Sequence, residues 1–381
     1  MMRALHVIAG LDPRHGGPSY SVPRLALALR AAGADAEVHC VAHGAEATIE
    51  RVFAHPQSFS RTPLLSALRI SRELKRALRQ RVGEFNIVHA HGLWLMPNVE
   101  SGRCAQRAAR PLMVSPRGML APAALAQGRL KKRLFWQLLQ RAAYAGAACF
   151  HATSEAEAAD IRAFGIDAPI VVIGNGVDSP PVDFAWPERR HELLALGRLH
   201  PHKGLDRLID AWALLANKMP SWSLHLVGPE EPGYAQLLRA QIERLKVPRV
   251  VIEGSVAGME KWQRLARASA LVLASRSENF GLVVAEALMA RTPVVVSKGA
   301  PWSAIEDAGC GLWSDTQPEA LASALLTVME LAPAERALWG ERGEALVRAR
   351  YGWPQQASRM LAAYQWLCGG SEPESLYRER G

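Results

Sequence analysis

Leu193-Leu194-Ala195-Leu196-Gly197-Arg198-Leu199-His200-Pro201-His202-Lys203-Gly204 opens a second series of strands and helices partway along the chain. Four apolar residues suit a strand covered on both faces. The glycine then lets the backbone turn sharply into the helical pattern at 205–218. The first series opens the same way. An apolar strand at 4–9 leads through Gly16-Gly17-Pro18-Ser19 to a helix at 22–32. Between the two series, 175–191 holds three prolines and no hydrophobic period, which is linker chemistry.

Apolar strands are expected at 4–9, 36–42, 87–90, 112–115, 148–152 and 170–173, and then at 193–196, 223–227, 250–253, 270–274 and 293–297. Helical patterns such as 64–80, 234–246 and 319–331 fill the gaps. Regular strand–helix alternation predicts parallel sheets with helices on both faces. The expected fold class is α/β, with two doubly wound Rossmann-like domains facing each other across a cleft. The expected domains are 1–178 and 191–350. Residues 351–381 supply a last helix, at 355–367, which crosses back to the first domain, and a frayed polar tail at 369–381. In such sheets ligands bind beyond the carboxyl ends of the strands.

A length of 381 residues suits two such domains, and 49% hydrophobic with 21% charged residues excludes a disordered chain. No apolar run approaches the ~18–20 residues of a membrane span. The first residues read as a strand and not as a signal peptide. Five scattered cysteines, none at C-x-x-C spacing, argue against a disulfide framework or zinc site and for a reducing compartment. All five are expected to be small buried hydrophobes. The net charge of +9 lies wholly in residues 1–190, where 24 Lys+Arg face 15 Asp+Glu. Its densest segment is 129–141, where Leu130, Leu134, Leu138 and Leu139 fall near one helical face. That pattern fits a helix resting on an anionic lipid surface, or one packed on its sheet with a solvated basic end.

Five constellations could carry chemistry. Gly16 and Gly17 precede a helix, where backbone N–H groups can meet an anion. Arg198 and Lys203 leave a strand end together and could clamp a diphosphate. Glu278 lies in the loop Ser275-Arg276-Ser277-Glu278-Asn279-Phe280-Gly281-Leu282, and the helix that follows carries Glu286 on an otherwise apolar face. The N–H groups of Phe280, Gly281 and Leu282 open that helix, and paired ribose hydroxyls would satisfy the Glu286 carboxylate. His89 and His91 share one face of a strand, but no third metal ligand is evident. His91, last before Gly92, is expected to reach the cleft. Arg117 leaves the next strand, placed to meet an acid or phosphate. Each also has a plain structural reading: an ordinary βα turn, a solvated basic turn, a buried ion pair, packed histidines, a turn arginine.

Taken in this order, the motifs resemble those of the family 4 glycosyltransferases, retaining nucleotide-sugar enzymes of the GT-B fold. The resemblance covers nearly the whole chain. It rests on Gly16-Gly17, on Gly197-Arg198 with Lys203-Gly204, on Asn175-Gly176-Val177-Asp178, and on Glu278-Asn279-Phe280-Gly281-Leu282-Val283-Val284-Ala285-Glu286, the E-x7-E pattern. It implies that Arg198 and Lys203 bind the donor diphosphate, Glu278 binds sugar hydroxyls, and His91 lies beside the reacting sugar. Gly16 and Gly17 would face the diphosphate and acceptor, and Asn279, Phe280, Gly281 and Leu282 the sugar and phosphate. Glu286 would bind the ribose, and Val256 would lie near the base. Arg117 would meet the acceptor or a phosphate.

Lys298-Gly299-Ala300-Pro301-Trp302 replaces the Gly-Gly pair and acid of many members, and with Ser115-Pro116-Arg117-Gly118 resembles a bacterial surface-polysaccharide branch. The resemblance implies a UDP- or GDP-sugar donor, a glycan acceptor that is lipid-linked in some members, no cofactor or metal, and a cytoplasmic enzyme, peripheral on the inner membrane face if 129–141 binds lipid. The absence of G-x-G-x-x-G after the first strand argues against hydride transfer. A nucleotide-sugar epimerase or hydrolase is the enzymatic alternative. A basic nucleic-acid or lipid-surface binding protein is the other, although no nucleic-acid module is present.

Overall fold

The structure, a computed structural model, describes residues 1–12, 17–42, 57–62 and 67–378. It divides into two compact units, Met1–Gly176 with Trp353–Gly381, and Val177–Gly352.

The first unit holds β1 (Arg3–Ile8), β2 (Asp35–Val41), β3 (Gln57–Phe59), β4 (Ile87–His91), β5 (Leu112–Ser115), β6 (Cys149–Ala152) and β7 (Ile170–Val172). They form one parallel sheet in the order β3-β2-β1-β4-β5-β6-β7. The second unit holds β8 (Arg190–Leu196), β9 (Ser223–Val227), β10 (Val250–Glu253), β11 (Ala268–Leu273), β12 (Val294–Ser297) and β13 (Gly311–Ser314). Their order is β10-β9-β8-β11-β12-β13, again parallel throughout. The strand order reverses between β1 and β4 and between β8 and β11. Such switch points leave a crevice at the carboxyl ends. Val294, Val295 and Val296 are fully buried, as a run covered on both faces requires.

The helix Trp353–Leu367 returns to the first unit, where Ala357, Met360, Ala363 and Tyr364 pack with Leu25, Ala26 and Leu29 of the helix Pro18–Ala31. Gly176 and Trp353 are pressed together there: a Cβ on Gly176 would lie 2.2 Å from the indole. Of the tail expected to fray, residues 375–377 are paired instead, and 379–381 lie outside the described residues. Ser375 O accepts from Val172 N–H, and Tyr377 N–H donates to Ile170 O, both at 2.7 Å. This antiparallel addition uses backbone groups that edge strand β7 would otherwise leave unpaired.

Several expectations need correction. β3 and β13 were not anticipated; one is three residues long and the other, Gly-Leu-Trp-Ser, has no apolar run. β8 begins at Arg190, inside the expected linker. In the 64–80 pattern the helix runs Arg72–Arg81, with Ser71 Oγ accepting from Leu74 N–H, and 63–66 lie outside the described residues. The helix Pro333–Tyr351 was unforeseen and contains Gly340. There a Cβ would stand 2.0 Å from the Arg291 carbonyl, so the glycine serves close packing. Cys368 is exposed, unlike the four other cysteines.

Candidate active site

β8 and β11 are neighbours at the switch point of the second sheet, and their carboxyl ends lead into the Arg198–Lys203 and Glu278 loops. The short turn Pro201–Lys203 ends at Gly204 and brings Lys203 onto Glu278. Lys203 Nζ donates to Glu278 Oε1, and Ser275 Oγ donates to the same oxygen at 2.7 Å. The Glu278 backbone is fixed as its N–H donates to Gly299 O at 2.8 Å. Arg198 does not join this pair. It is exposed, with its guanidinium 3.9 Å from the Glu231 carboxylate.

Gly281 caps the helix Leu282–Met289 at φ 80°, with no side chain bonded to the first amides. That leaves the positive end of the helix for a ligand anion. Phe280 turns inward onto Trp302 and Tyr351, and Trp302 Nε1–H donates to Phe280 O at 2.5 Å. This loop is therefore held from beneath, with Asn279, Gly281 and Leu282 half-buried. Glu286 is half-buried too and accepts from Lys261 Nζ at 2.6 Å. Val256 packs at the edge of the same core. Sequence reasoning missed Lys261 and Ser275. The cation on the helix Gly258–Arg267 was the available signal, since a half-buried glutamate requires a partner.

In the first unit Gly17 caps the helix Pro18–Ala31, and Gly16 lies outside the described residues. The expected open position of His91 is not observed: its ring is buried in a polar chain. Arg117 donates from one terminal nitrogen to Asn175 Oδ1 at 2.9 Å and from the other to His91 Nδ1 at 3.1 Å. His91 Nε2 meets His6 Nδ1 at 2.9 Å, and His6 Nε2 lies 3.4 Å from the Tyr364 hydroxyl. Tyr364 contacts His89 Nδ1 at 2.6 Å, and His89 Nε2 contacts Ser115 Oγ at 2.6 Å. Ser115 Oγ reaches His151 Nδ1 at 2.7 Å, and His151 Nε2–H donates to Ile173 O at 2.7 Å.

Burial, with the Arg117 charge, holds His6 and His151 down at about 3. Burial also lowers His89 and His91 well below the ordinary imidazole range, so all four rings are neutral. The third imidazole that the sequence did not reveal is His6, on β1 opposite His89. Ligand atoms of His6, His89 and His91 lie within 4.8 Å of one another, but their nitrogens are spent in this chain.

The basic segment is a helix, Arg129–Phe135, that runs into a π-helical turn, Trp136–Gln140. Leu130, Leu134 and Leu138 stand 81%, 61% and 66% exposed, one turn apart, while Leu139 packs inward. Gln140 Oε1 accepts from Trp94 N–H at 3.0 Å, which ties this helix to the loop after His91. No helix of the described residues is long and apolar enough to cross a membrane.

Two family models account for most of the chain. Glycosyl transferases group 1 matches residues 180–345, and the glycosyl transferase 4-like domain matches 16–176. The chain belongs to the family 4 glycosyltransferases. The HepE protein of Anabaena, solved with UDP and glucose, is 25% identical to this glycosyltransferase at a TM-score of 0.76, over 95% of this chain and 100% of that one. The D-inositol 3-phosphate glycosyltransferase of Thermomonospora curvata is 29% identical over 74% of this chain and 72% of its own. The lipopolysaccharide core mannosyltransferase LpcC of Rhizobium leguminosarum bv. viciae is 28% identical over 54% and 62%. Curated relatives such as these are matched over 39% to 72% of their own length.

Proposed function

We propose that this glycosyltransferase moves a sugar from a UDP-sugar to an acceptor hydroxyl with retention of anomeric configuration and without a metal. The Lys203–Glu278 pair carries this reading, because it sets a mobile cation and a hydroxyl-binding carboxylate side by side at the switch point. On donor arrival Lys203 turns to the diphosphate and Arg198 joins it, while Glu278 takes sugar hydroxyls. The uncapped helix start at Gly281–Leu282 adds partial positive charge. The anomeric carbon–oxygen bond to the diphosphate breaks, and the acceptor oxygen bonds to the same face. The acceptor proton passes to the departing diphosphate oxygen. Two cations and a helix terminus then stabilise the leaving charge, which is work a metal does elsewhere. UDP is favoured over GDP by the likeness to HepE.

The acceptor in this reading is a bacterial surface glycan intermediate carried on lipid. Supporting it are the likeness to LpcC and a segment suited to an anionic surface. Between Glu100 and Glu155 the chain holds nine Lys and Arg and no Asp or Glu. Three exposed leucines lie within that segment. An anionic leaflet would meet both features.

A thermal-shift panel of nucleoside diphosphates tests the donor reading first. Stabilisation by UDP, followed by UDP release from one UDP-sugar only when acceptor is added, is expected. No stabilisation by any nucleoside diphosphate would overturn it. Free sugar released without acceptor would point to the hydrolase or epimerase alternative.

A further inference from the structure

The chain from Arg117 to Ile173 has only one proton order. A carbonyl can only accept, so His151 carries its proton on Nε2 and accepts at Nδ1 from Ser115 Oγ–H. Ser115 must then accept from His89 Nε2–H, and His89 Nδ1 must accept from the Tyr364 hydroxyl. From the other end, a guanidinium can only donate, so His91 Nδ1 accepts from Arg117 and His91 Nε2–H donates to His6 Nδ1. His6 Nε2–H is left facing the Tyr364 oxygen. The two derivations meet at Tyr364 and agree. Aligned bonds of this kind polarise one another, which makes His91 Nδ1 a better acceptor.

We propose that Tyr364 is a positioning residue for the transfer: by accepting from His6 Nε2–H it supports the proton order in which His91 Nδ1 faces Arg117, and so holds the Arg117 guanidinium ready for a phosphate or carboxylate group of the acceptor. Only the identity of the acceptor rests on the transferase reading; the proton order does not. A phenol is what the junction needs, since it donates to His89 and accepts from His6 at once. Phenylalanine does neither. Without that acceptor, His6 Nε2–H is left buried and unsatisfied, which favours moving the proton to Nδ1 and reversing the His6–His91 pair. His91 would then present an N–H to the Arg117 N–H, donor against donor.

Arg117 is built to take an anion. Its bonded partners among the described residues, Asn175 Oδ1 and His91 Nδ1, are both neutral, and its Nε is buried with no partner. Glu157, whose charge acts on it, gives its oxygens to Gly118 N–H at 2.6 Å, Thr153 N–H at 2.7 Å and Thr153 Oγ1–H at 2.9 Å. Two of five guanidinium N–H groups are committed. The backbone at Arg117 is held at φ 58°, a left-handed conformation costly for a side chain of this size and one that a built site can enforce. A phosphate or carboxylate would supply the missing counter-charge through paired hydrogen bonds.

The test uses the full-length protein and Tyr364→Phe. Long-range proton–nitrogen spectra at pH 7 should show Nε2–H for His6, His89, His91 and His151 in the wild type. In the variant His6 and His91 should shift toward Nδ1–H while His151 stays. A wild-type ring of the four that is protonated or Nδ1–H overturns the proposal even if the variant does not fold. Inorganic phosphate is the probe for Arg117, read as protection of its peptide from phenylglyoxal. Wild type should be protected, and Tyr364→Phe should need at least tenfold more phosphate, with UDP affinity changed less than twofold. Equal protection of both proteins overturns the positioning role. Protection by UDP and not by phosphate would give the anion to the donor and overturn the acceptor assignment.

Discussion

Lys203 and Glu278 share an ion pair although 75 residues separate them in the chain. In the proposed mechanism each must leave the other to meet the donor. Removing one side should consequently affect donor binding and chemistry differently.

Lys203→Ala removes a charge-assisted contact to the diphosphate and should weaken UDP by roughly 10- to 100-fold, given ~1.5–3 kcal/mol for such a bond. Glu278→Gln should leave UDP affinity equal or improved, because Lys203 is released, while turnover falls by about 100-fold or more. Calorimetric UDP titration and steady-state rates on both variants check this. Weaker UDP binding in Glu278→Gln would contradict it.

Glu286 should report on the ribose. Wild type should prefer UDP to 2′-deoxy-UDP, and Glu286→Ala should bind the two alike. The preference should be about tenfold, the size of one hydrogen bond to a charged group. Competition binding decides it; a preference kept in the variant would remove Glu286 from the ribose.

Acid should destabilise the protein through the buried histidines. His6 and His151 hold about 3 when folded, against an ordinary 6.5. The unfolded chain therefore takes up protons first as pH falls, and stability drops between about 6.5 and 3 and is level above that window. At pH 5 each ring costs roughly 2 kcal/mol. Melting temperature measured from pH 8 to pH 4 should fall steeply below pH 6. A flat profile from pH 7 to pH 5 would refute the neutral-ring assignment.

Gly281→Ala would force a side chain into φ 80°, with its Cβ 3.2 Å from Leu273 Cδ2. A left-handed alanine costs about 1–2 kcal/mol. Urea unfolding should show a loss of that size, together with weaker UDP binding as the helix start shifts.

Vesicle flotation tests the basic helix. Wild type should float with anionic vesicles at low salt and not with neutral ones. Substituting Leu130, Leu134 and Leu138 by serine should abolish flotation and leave stability nearly unchanged, because these side chains are exposed. Equal recovery on neutral and anionic vesicles would end the lipid reading.

Much of this architecture was readable from local chemistry. Gly197-Arg198, Lys203-Gly204 and Glu278–Glu286 announce strand ends and helix starts because glycines, cations and acids there have few other uses. The histidine chain was not readable as a unit, since its members come from four strands and a helix that meet only through register. The hint was one polar ring inside each of several apolar runs: His6 between Leu5 and Val7, His89 between Val88 and Ala90, His151 between Phe150 and Ala152. Tyr364 gave no such hint. A tyrosine on an amphipathic helix looks like any core aromatic until its hydroxyl is found 2.6 Å from His89.

The return of the helix Trp353–Leu367 to the first unit also orders the protein's biosynthesis. Val177–Gly352 is contiguous and emerges from the ribosome with all it needs to close its sheet. The first unit is begun earlier but finished later, because the junction of its histidine chain and the segment that pairs with β7 come from residues made after Gly352. Synthesis thus supplies the whole of the second unit before the first is complete, and a chain that stops before residue 364 holds His6, His89, His91 and His151 with no phenol to join them.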